Sequence, residues 1–263
     1  MLDHVAIGVR QWSDAYERFI LELGGRWTRG GATGGFAPYQ LGFGDCLQLE
    51  FMAPLAADGF MRRFLARRGP APHHITFKVK SIQTAKAELE RLGFETFGGG
   101  RPDLPMWREA FVHPKQTGLG TLVQIVETDD EFLAEAVDGR GRPKDLPDPP
   151  VEPRPIALFG LTVADVGRAH DLLALALEGS VVEKGDDWFL LTWGPGRSIL
   201  VRLPSATPGG QRLWAQAPSD GVAFVVFGPG DLTAAALQTR ADELIRMPDH
   251  AETALPVWLV GRV

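Results

Sequence analysis

The sequence predicts an α+β protein built from four strand–helix–strands modules, paired into two domains. Three observations carry this. A histidine heads a short apolar run twice, in "LDHVAIGV" (residues 2–9) and in "HHITFKV" (residues 73–79). Each run leads into a helical segment and then into short alternating runs, so the second pass repeats the first. A stretch rich in proline and charge then interrupts the chain, and beyond it the same order recurs.

In the first module, residues 2–9 alternate as a strand, with Val5, Ile7 and Val9 on one face and His4, Ala6 and Gly8 on the other. Ser13 is the expected N-cap of a helix carrying Ala15, Phe19, Ile20 and Leu23, stopped at Gly24 and Gly25. Strand-like runs follow and end in "CLQLEFMAP" (residues 46–54), where Gln48, Glu50 and Met52 share a face. In the second module, "HHITFKVK" puts Ile75, Phe77 and Val79 on one face and His74, Thr76 and Lys78 on the other. Ser81 and Ile82 lead into the helix "TAKAELERLG", closed by Gly93. The last strand, "TLVQIVE" (residues 121–127), carries Gln124. His4 and His74 stand 70 residues apart and Glu50 and Gln124 stand 74 apart, in the same order and phase, which marks an internal repeat.

The segment "DGRGRPKDLPDPPVEPRP" (residues 138–155) has no apolar periodicity, so it reads as a linker or an extended strap. The expected boundaries are a first domain at 1–135, a Pro-rich linker at 136–154 and a second domain at 155–263. In the second domain "PIALFGLTVADVGRAHDLLALAL" gives a strand, an Asp-capped turn and an amphipathic helix. "DDWFLLTWGPGRSILVRLP" gives a hairpin through Gly194, Pro195 and Gly196. A fourth module begins at "GVAFVVF" and ends in the strand "PVWLVG".

Composition narrows the function classes. Of 263 residues, 44% are hydrophobic and 23% charged, which is enough apolar material for a core. A formal charge of −6 argues against a nucleic-acid partner, which calls for a basic face. A single cysteine, Cys46, excludes an intrachain disulfide or a Cys-rich zinc site. With no leader and no apolar run near the length of a membrane span, a cytoplasmic protein without a membrane partner is expected. A small molecule is the expected partner. Monomer and homodimer both stay open.

The residues at matched positions are the candidates for chemistry. His4, Glu50, His74 and Gln124 offer two imidazoles, one carboxylate and one amide oxygen, a set that suits one divalent ion such as Zn, Co, Ni, Mn or Fe. Taken singly, each reads as an ordinary strand residue. As a set they recur at equivalent places, and because each sits on a different strand only a curved sheet could bring them together.

The stretches "DHVAIGV", "LQLEFMAP", "HHITFKV" and "FVHPKQTGLGTLVQIVE" resemble the vicinal oxygen chelate superfamily, which covers glyoxalases, bleomycin-resistance proteins, extradiol dioxygenases and methylmalonyl-CoA epimerases. The epimerase-like members are the nearest in flavour, through the "HH" strand and the late "HPK". The resemblance covers residues 1 to about 127 and extends to the second half only as module order. It implies tandem βαβββ modules, hence two glyoxalase-like domains, the first with a U-shaped sheet around a divalent ion. It implies His4, Glu50, His74 and Gln124 as ligands, with His74 preferred over His73 by its phase. Family members usually carry glutamate where Gln124 stands. A glutamine can ligate through its carbonyl oxygen but cannot accept a proton as a base.

The implied reaction runs through a metal-stabilised enolate of a small oxygenated carbonyl compound or an acyl-CoA, with Glu50 as the catalytic proton-transfer group and a metal-bound hydroxide as the alternative base. One carboxylate among four positions favours a one-base isomerase or lyase over a two-base epimerase. Two other readings compete. One is a non-catalytic, resistance-type binding protein using Trp12, Trp27, Phe36 and Trp107. The other is a ring-cleaving dioxygenase, weakened by the amide at Gln124.

Further features read as structural. "MRRFLARRG" (residues 61–69) is expected to be a solvated helix face, with an anion patch aided by Lys115 as the sharper alternative. His113 reads as a turn residue, and Met106 and Trp107 as core. Gly98 to Gly100 lack the pattern of a phosphate loop. In the second domain Leu158, Leu200 and Gly221 fall near the places of His4, Glu50 and His74. That half is therefore expected to be a decayed pair of modules, kept for packing or to cover the open side of the first sheet.

Overall fold

The computed structural model describes residues 1–33, 35–44, 47–99, 106–129 and 141–261. Strands β1 (Leu2–Gly8), β2 (Arg26–Gly30), β3 (Phe36–Gly42) and β4 (Gln48–Pro54) form the first module. Strands β5 (Ala71–Lys78), β6 (Thr96–Phe97), β7 (Arg108–Val112) and β8 (Leu122–Glu127) form the second. They make one eight-stranded sheet in the order β2-β3-β4-β1-β5-β8-β7-β6. β1 and β5 meet antiparallel at its centre, and each runs parallel to the last strand of its own module. The two modules are thus related by a pseudo-dyad between β1 and β5.

The second domain repeats the plan with β9 (Ile156–Thr162), β10 (Ser180–Lys184), β11 (Trp188–Thr192), β12 (Ser198–Arg202), β13 (Gly221–Phe227), β14 (Leu244–Arg246) and β15 (Val257–Val260). Their order is β10-β11-β12-β9-β13-β15-β14. Among the described residues the fourth module has two strands after its helix rather than three. The hairpin through Gly194–Gly196 joins β11 to β12 as expected.

Local signals set most helix starts. Ser81 accepts from the Thr84 N–H at 3.2 Å and opens the helix Ile82–Arg91. Asp165 accepts from the Arg168 N–H at 2.9 Å and opens Val166–His170. The first helix departs from expectation: it starts at Trp12, one residue before Ser13. Its N-cap is Gln11, and Asp14 inside the first turn reaches back, its carboxylate accepting from the N–H groups of Arg10 and Gln11, both at 3.1 Å. It continues as a π-helix over Tyr16–Glu22.

One apolar cluster joins the helix-bearing faces of both sheets. Val5, Ile7, Phe51, Ile75 and Phe77 from the first meet Phe159, Leu161, Ile199, Val201 and Phe227 from the second. The rings of Phe43 and Phe227, and of Phe77 and Trp193, lie with centroids 5.1 Å apart. The second domain therefore packs behind the first sheet. It does not cover the open side, because the apolar stripe of both sheets faces the helices.

The opposite face of the first sheet carries His4, Glu50, His74 and Gln124. The helix Phe60–Arg68 packs against one end of it, with Met61, Phe64 and Leu65 gathered on Ala6 and Met52. Gly8 permits that approach: a Cβ there would fall 2.8 Å from the Phe64 ring. Arg62, Arg63, Arg67 and Arg68 are exposed, as a solvated face requires. Residues 141–155 are a strap on the first domain rather than a free linker. The Arg154 N–H bonds the Leu23 carbonyl at 3.0 Å, Arg26 pairs with Glu152 at 3.2 Å, and Tyr16 donates to Asp145 at 3.4 Å. The boundary expected at 135/136 and the residue Cys46 lie outside the described residues. No helix among the described residues is long and apolar enough to cross a membrane.

Candidate metal centre

The register of the central strands explains how the histidines converge. Leu2 faces Phe77 while His4 faces Thr76, so Asp3 is an extra residue on β1. Ala6 faces His74 while Ile7 faces Pro72, so His73 is an extra residue on β5. Each histidine of the candidate site is thus flanked by a β-bulge, the device that re-aims a side chain at a sheet position.

Both bulge residues hold their neighbours. Asp3 Oδ2 lies 2.7 Å from His4 Nδ1, and both side chains are buried. Burial pushes the Asp3 carboxyl up, but the hydrogen bond from His4 and the nearby Lys78 charge outweigh it and hold it well below the usual range. A carboxylate on Nδ1 fixes the proton there and leaves Nε2 with a free lone pair. On β5, His73 Nδ1 lies 2.9 Å from His74 Nδ1. Burial lowers His73 to about 4. His74 is pushed well down by burial and then by its histidine neighbours, against the opposing pull of a Gln124 hydrogen bond. Both rings are therefore neutral at pH 7, and one N–H lies between their Nδ1 atoms.

The Nε2 atoms that remain point to one place. His4 Nε2 is 3.6 Å and His74 Nε2 is 4.0 Å from Glu50 oxygens, and one ligand atom from each residue falls within 4.8 Å of the others. These separations are too long for hydrogen bonds. They are close to the roughly 3 to 4 Å between ligand atoms around a divalent ion with bonds of about 2 Å. Among the described residues His4 Nε2 is buried without a hydrogen-bond partner, which costs free energy unless something else fills its lone pair. The donor set and this orphaned nitrogen fit a divalent cation.

Gln124 sits one strand further along the same row, opposite Thr76, which itself faces His4. Its Oε1 accepts from Thr76 Oγ1 at 2.6 Å and its Nε2 donates to Glu109 Oε2 at 2.7 Å. Glu50 Oε2 accepts from Gln40 Nε2 at 2.8 Å. All four residues chosen from the sequence are more than nine-tenths buried on this face.

Sequence reasoning missed the partners Asp3, His73, Gln40, Thr76 and Glu109. The dipeptides "DH" and "HH" were the visible signal for two of them. Trp12 and Trp27 do not reach the site. They pack on Tyr39, at 5.8 and 5.3 Å, on the helix-bearing face, Trp12 from the first helix and Trp27 from β2. Phe36 packs on Phe60, and Trp107 donates to Glu109 at 2.9 Å. Met106 is exposed rather than core. His113 accepts from the Lys115 N–H and starts a single helical turn, as expected of a turn residue.

The second domain keeps both bulges and loses the chemistry. Its register puts Ala157, Leu158, Leu200 and Trp258 where Asp3, His4, Glu50 and Gln124 stand. His74 is matched by Phe224, three residues beyond the expected Gly221. Leu190 matches Gln40, Ala223 matches His73 and Val226 matches Thr76. All eight belong to one apolar cluster, into which Trp214 inserts with its ring centroid 4.7 Å from Phe224.

Residues 3–111 match the model of the Glyoxalase/Bleomycin resistance protein/Dioxygenase superfamily. Among solved structures, the chain is similar to a methylmalonyl-CoA epimerase from Mycobacterium tuberculosis, at 27% identity and a TM-score of 0.45, over 51% of this chain and 91% of that one. It is similar to a hypothetical protein from Bacillus halodurans C-125, at 25% identity and a TM-score of 0.45, over 49% and 95%. It is also similar to a Streptomyces coelicolor methylmalonyl-CoA epimerase variant in complex with 2-nitronate-propionyl-CoA, at 22% and 0.44, over 48% and 96%. Each spans about half of this chain. No curated protein matches it in sequence.

Proposed function

We propose that the first domain, which matches the glyoxalase and dioxygenase superfamily over residues 3–111, is a metal-dependent isomerase or lyase. Its substrate class is a small oxygenated carbonyl compound or an acyl-CoA, and its reaction passes through an enolate. The observation that carries this reading is the convergence of His4, Glu50 and His74 with a buried, unpartnered His4 Nε2. His4, His74, Glu50 and the carbonyl oxygen of Gln124 would hold the ion.

A divalent ion there would supply Lewis acidity, drawing charge from a substrate oxygen and lowering the barrier to loss of the α-proton. The chain supplies the rest. Asp3 and His73 set the tautomers of the two histidines. Gln40 holds one oxygen of Glu50, and the other lies toward His74. Glu50 removes the α-proton and returns it, and the buried surroundings keep bulk water from competing for it. Gln124 cannot take a proton, so with a single carboxylate at the centre the one-base isomerase or lyase is favoured over two-base epimerisation.

Two measurements test this. Elemental analysis of untagged protein should find about one divalent ion per chain, by the donor set of a single four-ligand site, and a His4→Ala, His74→Ala double variant should lose it. A wild type that holds no ion and gains no thermal stability from Zn, Co, Mn or Ni overturns the enzyme reading. Solvent deuterium should wash into the substrate α-position, and Glu50→Gln should abolish that exchange while the ion is retained. Iron together with oxygen consumption on catechols would favour ring cleavage instead.

A further inference from the structure

We propose that Glu109 is a positioning residue for the metal centre, fixing the amide of Gln124 so that its oxygen, not its nitrogen, serves as the fourth ligand, with Trp107 holding Glu109 in turn. The inference rests on the metal reading above.

Glu109 Oε2 accepts from two donors, Trp107 Nε1 at 2.9 Å and Gln124 Nε2 at 2.7 Å. An indole N–H only donates and a carboxylate only accepts, so chemistry requires the Gln124 atom facing Glu109 to be the amide nitrogen. The oxygen is then turned the other way, where Thr76 Oγ1 donates to it at 2.6 Å from the row that also holds His4. The other lone pair of that oxygen faces His74, whose hydrogen bond a cation would replace. Without Glu109 the amide could rotate and present N–H groups to the centre, which would repel a cation.

The first module holds a like pair with the roles exchanged, although Gln40 lies directly across from Glu50 whereas Glu109 lies two residues from Phe111, the residue across from Gln124. There Gln40 on β3 donates to Glu50 on β4, and β3 and β4 occupy the places that β7 and β8 take across the pseudo-dyad. Each half therefore holds one amide and one carboxylate. In the first half the carboxylate is on the inner strand, and in the second it is on the outer strand. Gln124 in place of an acid is then one member of a permuted pair, because a glutamate at 124 would meet Glu109 head-on.

The exchange can be made and measured on the full chain. Co(II) titration by calorimetry and visible absorption should show binding to the wild type that is about ten- to a hundredfold weaker in Glu109→Ala, with an altered spectrum as the amide oxygen leaves the ion. Trp107→Phe should lose less, in the same direction. Gln124→Glu with Glu109→Gln restores one amide beside one carboxylate and should bind Co(II) more tightly than Gln124→Glu alone, a rescue that a merely structural role would not give. Glu109→Ala with wild-type affinity and spectrum, or a double variant no tighter than Gln124→Glu, overturns the positioning role alone. A wild type that binds no Co(II) removes the metal reading and this inference with it.

Discussion

At the scale of single residues, the candidate centre depends on what sits beside each candidate ligand. Asp3 and His4 are neighbours in sequence, and an ordinary strand would send their side chains to opposite faces. The bulge at Asp3 brings its carboxylate to within 2.7 Å of His4 Nδ1. Asp3→Ala should therefore weaken metal binding about ten- to a hundredfold, with Asp3→Asn between that and the wild type, because the amide still accepts but carries no charge. Calorimetric titration with Zn(II) checks this, and an unchanged affinity in Asp3→Ala would remove the pairing from the design of the site. The shared face of the candidate ligands was legible because alternation gives the phase of each side chain. Their partners were not, because a bulge breaks alternation without leaving a fixed signature in one sequence.

At the scale of elements, a side-chain cap is read at Asp165 and missed at Ser13, which lies inside its helix, and irregular segments are read poorly. Asp165 begins its helix where the sequence places it, and Ser81 opens its helix at Ile82, two residues before the expected start at Thr84, since a side-chain acceptor satisfies orphan N–H groups locally. The strap is different: its composition rules out a core but says nothing about where it lies. Tyr16 meets Asp145 of the strap, and burial together with that carboxylate raises the Tyr16 hydroxyl to about 12. An unfolded tyrosine titrates near about 10. The folded state thus favours the neutral phenol, so this contribution is fully present below pH 10 and is lost as pH rises from 10 toward 12. Urea midpoints should fall across that window, and less steeply in Tyr16→Phe. Tyr39, buried beside it, is raised as well and keeps part of the slope. Equal slopes in the two proteins would show that the strap contact does not couple to folding.

At the scale of the whole molecule, the two domains share one apolar cluster, and Arg168 ties them together at its edge. Its guanidinium donates to the carbonyls of Leu92, Gly93 and Gln116 at 2.7 to 3.1 Å and lies 3.6 Å over the Phe94 ring. Arg168→Ala leaves these carbonyls without that donor and should destabilise the chain by at least about 1.5 to 3 kcal/mol, the scale of one charged hydrogen bond. Chemical denaturation followed by tryptophan fluorescence reads this directly, and a loss below about 0.5 kcal/mol, the level of a neutral surface change, would deny the clamp. The repeat of modules and the alternation of β1, β4, β5 and β8 determined the α+β class, the face of each candidate ligand and the loss of those ligands from the second half. They did so because strand phase is a local property with period two. The tertiary structure decided three things that depend on strand register and on contacts between distant segments. It turned Asp3 and His73 onto the histidines, set Glu109 against Gln124, and placed the second domain behind the sheet. No local pattern encodes such pairings, since each is settled by which apolar faces meet and by where one strand carries a residue more than its neighbour.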